Sequence, residues 1–223
     1  MSGPAPHTLA GAEALVEDVG MMRASNETRR GDWMEVASGT RFYPLDPRAS
    51  EVHLSDVASS LAKQCRYNGH TRFFYSVAEH SVLMADWLFR EYGDPLLAYQ
   101  GLMHDAPEAY LGDMVRPLKR NMPAFVAAEL PVWQTIVEAF PVLRRKGLSQ
   151  DLAAPGPYGL DARVHQADNR ILVDERAQVM RPSSNPWGID HLEPLGVTIE
   201  GWHPGDAESN FLFAEEEYRK LCG

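Results

Sequence analysis

The chain has 223 residues, of which 44% are hydrophobic and 23% are charged, so it can bury a core without disulfides. Its formal net charge of -10 excludes a general nucleic-acid-binding protein, because phosphate neutralisation needs clustered Lys and Arg. We expect one domain over residues 32–223, preceded by an N-terminal arm over residues 1–31 that is rich in small residues.

No apolar run approaches the roughly 18 residues that span a bilayer, and the N-terminal segment lacks the basic and apolar regions of a signal peptide. Cys65 and Cys222 are too few for a disulfide framework and match no zinc spacing. Free thiols are typical of a reducing compartment, so we expect a cytoplasmic protein without membrane or nucleic acid partners.

Helical patterns dominate the chain after a short extended segment. Residues 33–47 alternate around Gly39 and predict a small hairpin. Ser55, Ser76 and Asp161 are each placed to cap the helix that follows. The predicted helices cover residues 56–63, 77–92, 95–103, 122–143, 162–180 and 207–221. The fold class is therefore mostly α, with the hairpin as its β content.

Prolines and glycines predict the interruptions between these helices. Pro107 should kink or restart the helical segment around it, because proline removes a helical hydrogen bond. Gly112 and Pro117 are expected to close that region. Residues 149–159 and 182–194 are predicted to be loops or irregular structure.

Four polar residues fall within the apolar stripes of the predicted helices, namely His80, His104, Asp105 and Asp168. A buried carboxylate costs several kcal/mol unless it is paired or binds a metal. Each residue alone could be a hydrogen-bonded core group. Together, two imidazoles and two carboxylates form a mixed nitrogen and oxygen set that suits a divalent first-row metal.

The order of His80, His104-Asp105 and Asp168 resembles the H…HD…D signature of the HD-domain metal-dependent phosphohydrolases. The resemblance covers about residues 33–221 and extends to bacterial 5'-deoxynucleotidases and short phage nucleotide hydrolases of this type. Its segments are SGTRFYPLDP (38–47), QCRYNGHTRFFYSVAEHS (64–81), LMHDAPEAYLGDMVRPLKR (102–120) and ADNRILVDE (167–175). It implies an HD-type helical bundle, homo-oligomers, and a divalent cation (Mn, Co, Mg, Fe, Ni or Zn) bound by His80, His104, Asp105 and Asp168.

The same resemblance implies roles for five further residues. Glu108, in HDAPE, would act as an acid or base or position the water, and Asp113 would orient the water or the sugar. Arg66, Lys119 and, with less support, His70 would contact phosphate. The alternatives are an exposed helical glutamate for Glu108, a helix cap for Asp113, and solvated surface charges for Arg66 and Lys119.

The expected activity is hydrolysis of a nucleoside 5'-phosphate, with water attacking phosphorus and one carboxylic acid protonating the leaving oxygen. An acidic chain can bind such a substrate because the cation meets the phosphate. One alternative is a deoxynucleoside triphosphate triphosphohydrolase, for example a purine-selective one. Another is a non-catalytic nucleotide-binding regulator that has kept the fold.

Overall fold

The structure is a computed structural model that describes residues 29–144 and 157–223. Helices dominate these residues, as predicted from the sequence. Their sheet is the predicted hairpin, in which β1 (Met34–Glu35) pairs antiparallel with β2 (Arg41–Phe42). Gly39 has a φ of +81°, which favours glycine in the turn that joins the two strands. None of the described helices is long and apolar enough to cross a bilayer.

The helices form one hydrophobic core over the hairpin. The bounds of the helices are α1 (Leu54–Lys63), α2 (Val77–Tyr92), α3 (Pro95–Met103), α4 (Glu108–Leu111), α5 (Arg116–Lys119), α6 (Pro123–Ala139), α7 (Ala162–Gln178) and α8 (Pro204–Leu221). The helices α2 and α3 pack most extensively on each other, α8 packs across α1, α2 and α3, and α7 contacts α2 and α3. The described part of the chain is therefore a helical bundle with a small hairpin at its N-terminal side.

Side-chain caps explain where the helices that carry the candidate site begin. The hydroxyl of Ser76 accepts a hydrogen bond from the backbone N–H of Glu79, and α2 ends at Gly93, whose backbone is left-handed. Asp161 accepts from the backbone N–H of Arg163 at the start of α7. The predicted caps Ser76 and Asp161 and the predicted end at Gly93 are confirmed.

The predicted cap at Ser55 is wrong, because α1 begins one residue before it. The backbone of His53 is extended, and its carbonyl accepts hydrogen bonds from the N–H groups of Asp56 and Val57. Leu54 is therefore already helical, and Ser55 lies inside the first turn. No side chain caps this helix.

Other boundaries shift by a few residues. The last helix begins at Pro204 rather than at residue 207, since the Nδ1 atom of His203 accepts from the N–H of Gly205 and proline suits the first turn. Pro117 lies in the first turn of α5 and does not close the region. The helix α6 ends at residue 139 and α7 at residue 178, two to four residues before their predicted ends.

The predicted restart at Pro107 is confirmed, because α3 ends before it and α4 begins directly after it. Residues 182–194 are irregular, as predicted. The predicted loop over residues 149–159 lies outside the described residues, except for a 3-10 turn at Pro157–Gly159. The predicted arm lies outside them up to residue 28, and Arg29 pairs with Asp46 and Glu51 of the domain.

Candidate metal centre

Two buried imidazoles face each other at the junction of α2 with the end of α3. His80 lies on the second turn of α2, and His104 directly follows α3, so the packing of the two helices brings the rings together. Their Nε2 atoms are 3.4 Å apart. The Oδ2 atom of Asp105 lies 3.1 Å from Nε2 of His104 and 3.7 Å from Nε2 of His80. These three side chains form a cluster that could hold a metal ion.

Asp168 approaches the same cluster from α7. Its Oδ1 atom lies 3.6 Å from Nε2 of His80 and 4.0 Å from Nε2 of His104. Its Oδ2 atom accepts a hydrogen bond of 2.5 Å from the guanidinium of Arg116, which also donates to Asn169. Arg116, which orients the fourth predicted ligand, was not among the residues predicted from the sequence. Ligation by Asp168 stays a prediction.

Hydrogen bonds on the far side of each ring fix which nitrogen faces the cluster. Nδ1 of His80 lies 2.7 Å from Oε1 of Glu175, and Nδ1 of His104 lies 2.7 Å from the carbonyl oxygen of Gly101. A carboxylate and a carbonyl can only accept, so each Nδ1 carries a hydrogen, and in the neutral rings each Nε2 presents a lone pair. In neutral rings these two facing lone pairs repel each other unless a cation lies between them.

The spacing of these donor atoms fits a small divalent cation. Adjacent ligands at a four- to six-coordinate ion with bonds of about 2.1 Å lie roughly 3.0 to 3.4 Å apart. The Nε2 atoms of His80 and His104, at 3.4 Å, and the pair His104 and Asp105, at 3.1 Å, match this spacing. Two imidazoles with carboxylates suit several first-row metals, so the donor set does not identify the ion.

The electrostatics of the cluster also favour a cation. Burial disfavours the charged form of His104, but the negative charges of Asp105 and Asp168 outweigh burial and raise the pKa of this imidazole. Burial likewise opposes ionisation of Asp105, yet His104, His80 and Arg66 hold the pKa of its carboxyl well below its usual range. Asp105 is therefore an ionised carboxylate beside two imidazoles.

Glu108 begins α4, and its side chain is buried beside the cluster. Its Oε2 atom has no hydrogen-bond partner among the described residues. Burial, together with the charges of Asp105 and Asp113, raises the pKa of Glu108 well above its usual range. The alternative that Glu108 is an exposed helical glutamate is wrong, since its exposed fraction is 8%. Its carboxyl is a buried acid that holds its proton to a higher pH than an ordinary glutamate.

Asp113 follows α4 and is held near Glu108 by Gln64. The side-chain amide of Gln64 donates to the carbonyl of Glu108, and its oxygen accepts from the backbone N–H of Asp113. Burial and the nearby charge of Asp105 raise the pKa of Asp113. Asp113 does not cap the next helix, because α5 begins after Val115 without a side-chain cap. No role for Gln64 was predicted from the sequence.

Arg66 is buried and is not a solvated surface charge. Its Nη1 atom lies 3.4 Å from Oδ2 of Asp105, and its Nε atom lies 3.2 Å from Oε1 of Glu175. The guanidinium therefore bridges a candidate metal ligand and the carboxylate behind His80. Contact between Arg66 and a substrate phosphate stays a prediction.

The two other predicted phosphate contacts have different surroundings. The ammonium group of Lys119 lies 2.6 Å from Oε1 of the buried Glu129, which balances its charge. Burial lowers the pKa of Lys119, but Glu129 outweighs burial and raises it. His70 follows the turn Arg66–Gly69 and is exposed, and its imidazole has no hydrogen bond or ion pair among the described residues. The structure therefore brings Lys119, but not His70, into a charged network.

Glu175 is the main functional candidate that the sequence analysis missed. It accepts from His80 and from the hydroxyl groups of Tyr75 and Tyr67. The spacing could have revealed it, because Glu175 follows Asp168 by seven residues and so lies on the same face of α7 two turns later. Its partners on other elements gave no such signal.

No protein-family profile matches the chain. Over 184 residues it is 31% identical to the uncharacterized protein YfdR of Escherichia coli strain K12, and this match covers 81% of the chain and 92% of YfdR. The chain belongs to the YfdR family. It is also 40% identical over 93 residues to an uncharacterized protein of Rhodobacter capsulatus, a match that covers 39% of the chain and 46% of that protein. The match to YfdR shows the family of the chain, and the reaction has to be inferred from the residues of the candidate metal centre.

Proposed function

We propose that this member of the YfdR family is an HD-type, metal-dependent phosphohydrolase that releases phosphate from nucleoside 5'-phosphates, including deoxynucleotides. The observation that carries the proposal is the pair of Nε2 atoms of His80 and His104, which face each other at 3.4 Å. Asp105 lies beside both atoms. The resemblance of the sequence to HD-domain phosphohydrolases indicates which reaction such a site would catalyse.

His80, His104 and Asp105 would hold the cation, with Asp168 completing the set. When bound, a divalent cation makes water a better nucleophile at neutral pH and offsets the charge of phosphoryl oxygens. The protein's own contribution here is orientation. Glu175 and the carbonyl of Gly101 hold the two imidazoles so that both Nε2 atoms present lone pairs to one point.

Glu108 is the best candidate for the acid that protonates the leaving nucleoside oxygen. Its raised pKa keeps the carboxyl protonated at a higher pH than usual, and its unpartnered Oε2 atom is available for a substrate oxygen. Asp113 would orient the attacking water, since Gln64 fixes the backbone of both residues. The carboxyl of Glu108 would thus donate the proton, and that of Asp113 would position the nucleophile.

Two cationic side chains would stabilise the charge on the phosphoryl oxygens. Arg66 forms ion pairs with Glu175 through Nε and with Asp105 through Nη1, so its guanidinium lies beside a candidate ligand, where it would meet a phosphoryl oxygen. Lys119 is held by Glu129 at the side of the site. We further propose that the protein is cytoplasmic and forms homo-oligomers. Neither Cys65 nor Cys222 takes part in a disulfide among the described residues, which is consistent with a reducing compartment.

The test is a nucleotide panel with metal reconstitution. Metal-free protein is supplied with Mn, Co, Mg, Fe, Ni or Zn and given ribo- and deoxynucleoside mono- and triphosphates, and both phosphate and triphosphate products are measured. We expect metal-dependent release of phosphate from monophosphates, and strongly reduced release by the Glu108→Gln variant. Release of triphosphate would support the triphosphohydrolase instead. Nucleotide binding without turnover under every metal would contradict the proposal and support a regulator.

A further inference from the structure

Four side chains surround one buried carboxylate on α7, of which three donate hydrogen bonds to it and Arg66 forms an ion pair with it. The Oε1 atom of Glu175 lies 2.7 Å from Nδ1 of His80, 3.0 Å from the hydroxyl of Tyr75 and 3.2 Å from Nε of Arg66. Its Oε2 atom accepts from the hydroxyl of Tyr67. Each donor comes from the segment that leads into α2 or from α2 itself. Glu175 therefore joins α7 to the part of the chain that carries the first candidate ligand.

The carboxylate is fully buried, and every group around it can donate a hydrogen. The two phenol hydroxyls and the guanidinium of Arg66 carry their own hydrogens, so the oxygens of Glu175 act as acceptors. Nδ1 of His80 therefore carries a hydrogen, and in the neutral ring the lone pair of Nε2 points towards His104.

The same carboxylate also holds a strained turn. Tyr67 and Asn68 have φ values of +58° and +52°, a left-handed conformation that is unfavourable for a bulky residue such as tyrosine. The hydroxyl of Tyr67 and the guanidinium of Arg66, at the start of this turn, both reach Glu175. Nη1 of Arg66 then lies 3.4 Å from Oδ2 of Asp105.

We propose that Glu175 is a positioning residue of the metal centre, which sets the affinity for the cation by orienting His80 directly and Asp105 through Arg66. The inference rests on the metal centre of the proposed function and is independent of the substrate. Carboxylates behind metal-bound histidines fix the ring and increase the basicity of the ligand, and their loss weakens metal binding about 10- to 100-fold.

A second buried glutamate provides a matched control. Glu215 lies on α8 with an exposed fraction of 3%, accepts from the hydroxyl of Tyr99 at 3.0 Å, and lies 3.1 Å from Nε of Arg219. It therefore shares with Glu175 a phenol partner and an arginine partner. It lacks the imidazole, so its replacement should cost stability without changing the metal centre.

The test compares three full-length proteins: wild type, Glu175→Gln and Glu215→Gln. Each is freed of metal, its free energy of unfolding is measured by chemical denaturation, and it is titrated calorimetrically with Mn²⁺ in the absence of nucleotide. We expect both variants to be less stable than wild type. Only Glu175→Gln should bind Mn²⁺ more weakly, by about 10- to 100-fold.

Unchanged Mn²⁺ affinity in Glu175→Gln, or an equal loss in Glu215→Gln, would overturn the inference. If Glu175→Gln does not fold, Tyr67→Phe decides the matter with Tyr99→Phe as its control. Loss of one hydrogen bond to Glu175 should weaken Mn²⁺ binding by about 2- to 10-fold. An unchanged affinity in Tyr67→Phe would then overturn it.

A spectroscopic measurement on the metal-free protein separates this inference from the proposed function. ¹⁵N NMR of the imidazoles should show that Nδ1 of His80 carries the hydrogen in wild type and Glu215→Gln, and that this preference weakens in Glu175→Gln. Wild type that binds Mn²⁺ but hydrolyses no nucleotide would contradict the proposed function alone. If the neutral imidazole of His80 carries its hydrogen on Nε2 in a wild type that still binds Mn²⁺ and hydrolyses nucleotide, the positioning role alone would be contradicted.

Discussion

Two fully buried glutamates, Glu79 and Glu175, show how the partners of a carboxylate decide its role. Glu79 accepts three hydrogen bonds from the backbone N–H groups of Glu200, Gly201 and Trp202, at 2.8 to 3.0 Å. Glu175 accepts from side chains, one of which is a candidate metal ligand. The first carboxylate fastens a connecting segment to the bundle, whereas the second orients groups that can take part in chemistry.

The segment that Glu79 holds is closely packed, which supports its structural role. A Cβ atom at Gly201 would lie 2.5 Å from the ring of Phe73 and 2.8 Å from the carbonyl oxygen of Phe74. The φ of Gly201 is +72°, a value that favours glycine. The backbone therefore passes at close range over the entry to α2, and the carboxylate of Glu79 satisfies its N–H groups there.

The largest effect is expected from removing a ligand that Glu175 helps to orient. Asp105→Ala should abolish measurable Mn²⁺ binding and lower phosphohydrolase activity by about 1000-fold or more, because the cation loses the ionised oxygen ligand that lies beside both imidazoles. Asp56→Ala is a control, since Asp56 is a buried aspartate that binds Ser38 of the hairpin. It should lose stability and keep Mn²⁺ affinity. Full turnover by a metal-free Asp105→Ala protein would sink the mechanism.

Glu108→Gln should separate catalysis from metal binding. We expect kcat to fall by about 100- to 10,000-fold, because the variant cannot donate a proton, while Mn²⁺ affinity stays close to that of wild type. Wild-type activity should fall as the pH rises through the raised pKa of Glu108, since only the protonated carboxyl is the acid. A pH profile of Glu108→Gln that keeps this alkaline decline would assign it to another group.

Glu79→Gln tests the other side of the comparison. Hydrogen bonds to a charged group contribute roughly 1.5–3 kcal/mol, so this variant should lose about 2–3 kcal/mol of unfolding free energy in a denaturant titration. Its Mn²⁺ affinity should remain within about twofold of wild type. This change is small compared with the loss of about 10- to 100-fold expected when a group that orients a ligand is removed. If Glu79→Gln weakens Mn²⁺ binding as much as Glu175→Gln does, the distinction between the two glutamates is wrong.

The smallest effect is expected at the start of α7, the helix that carries Asp168 and Glu175. Asp161→Ala removes the side chain that accepts from the backbone N–H of Arg163 and should cost about 1 kcal/mol of unfolding free energy. Mn²⁺ affinity should not change, because the packing of α7 on α2 and α3 remains. A clear loss of affinity here would mean that the fraying of α7 reaches the metal centre.

Local signals in the sequence were sufficient where the structure depends on near neighbours. Ser76 and Asp161 act through backbone groups two or three residues away, and Gly93 ends its helix by its own conformation. The helix at Ser55 shows the limit of such signals, because the extended backbone of His53 starts that helix and a suitable hydroxyl is not used. A helix cap can therefore be predicted from the sequence only where the backbone of a neighbouring residue does not start the helix at another position.

The candidate site was predictable as a set of polar residues on apolar faces, but not as a network. His80, His104 and Asp105 stand out because their residue types conflict with burial. The role of Glu175 depends on a left-handed turn at Tyr67 and on a helix 95 residues away in sequence, and neither leaves a periodic signal. The partnership of Lys119 with Glu129 is likewise tertiary.

The most direct test of the central claim is the location of the cation. Crystals grown with Mn²⁺ should give a single strong anomalous peak between the imidazoles of His80 and His104, about 2.0–2.3 Å from both Nε2 atoms and from a carboxylate oxygen of Asp105. We expect this peak in wild type and its loss in Asp105→Ala. Wild-type crystals at saturating Mn²⁺ with no peak between the two rings would contradict it.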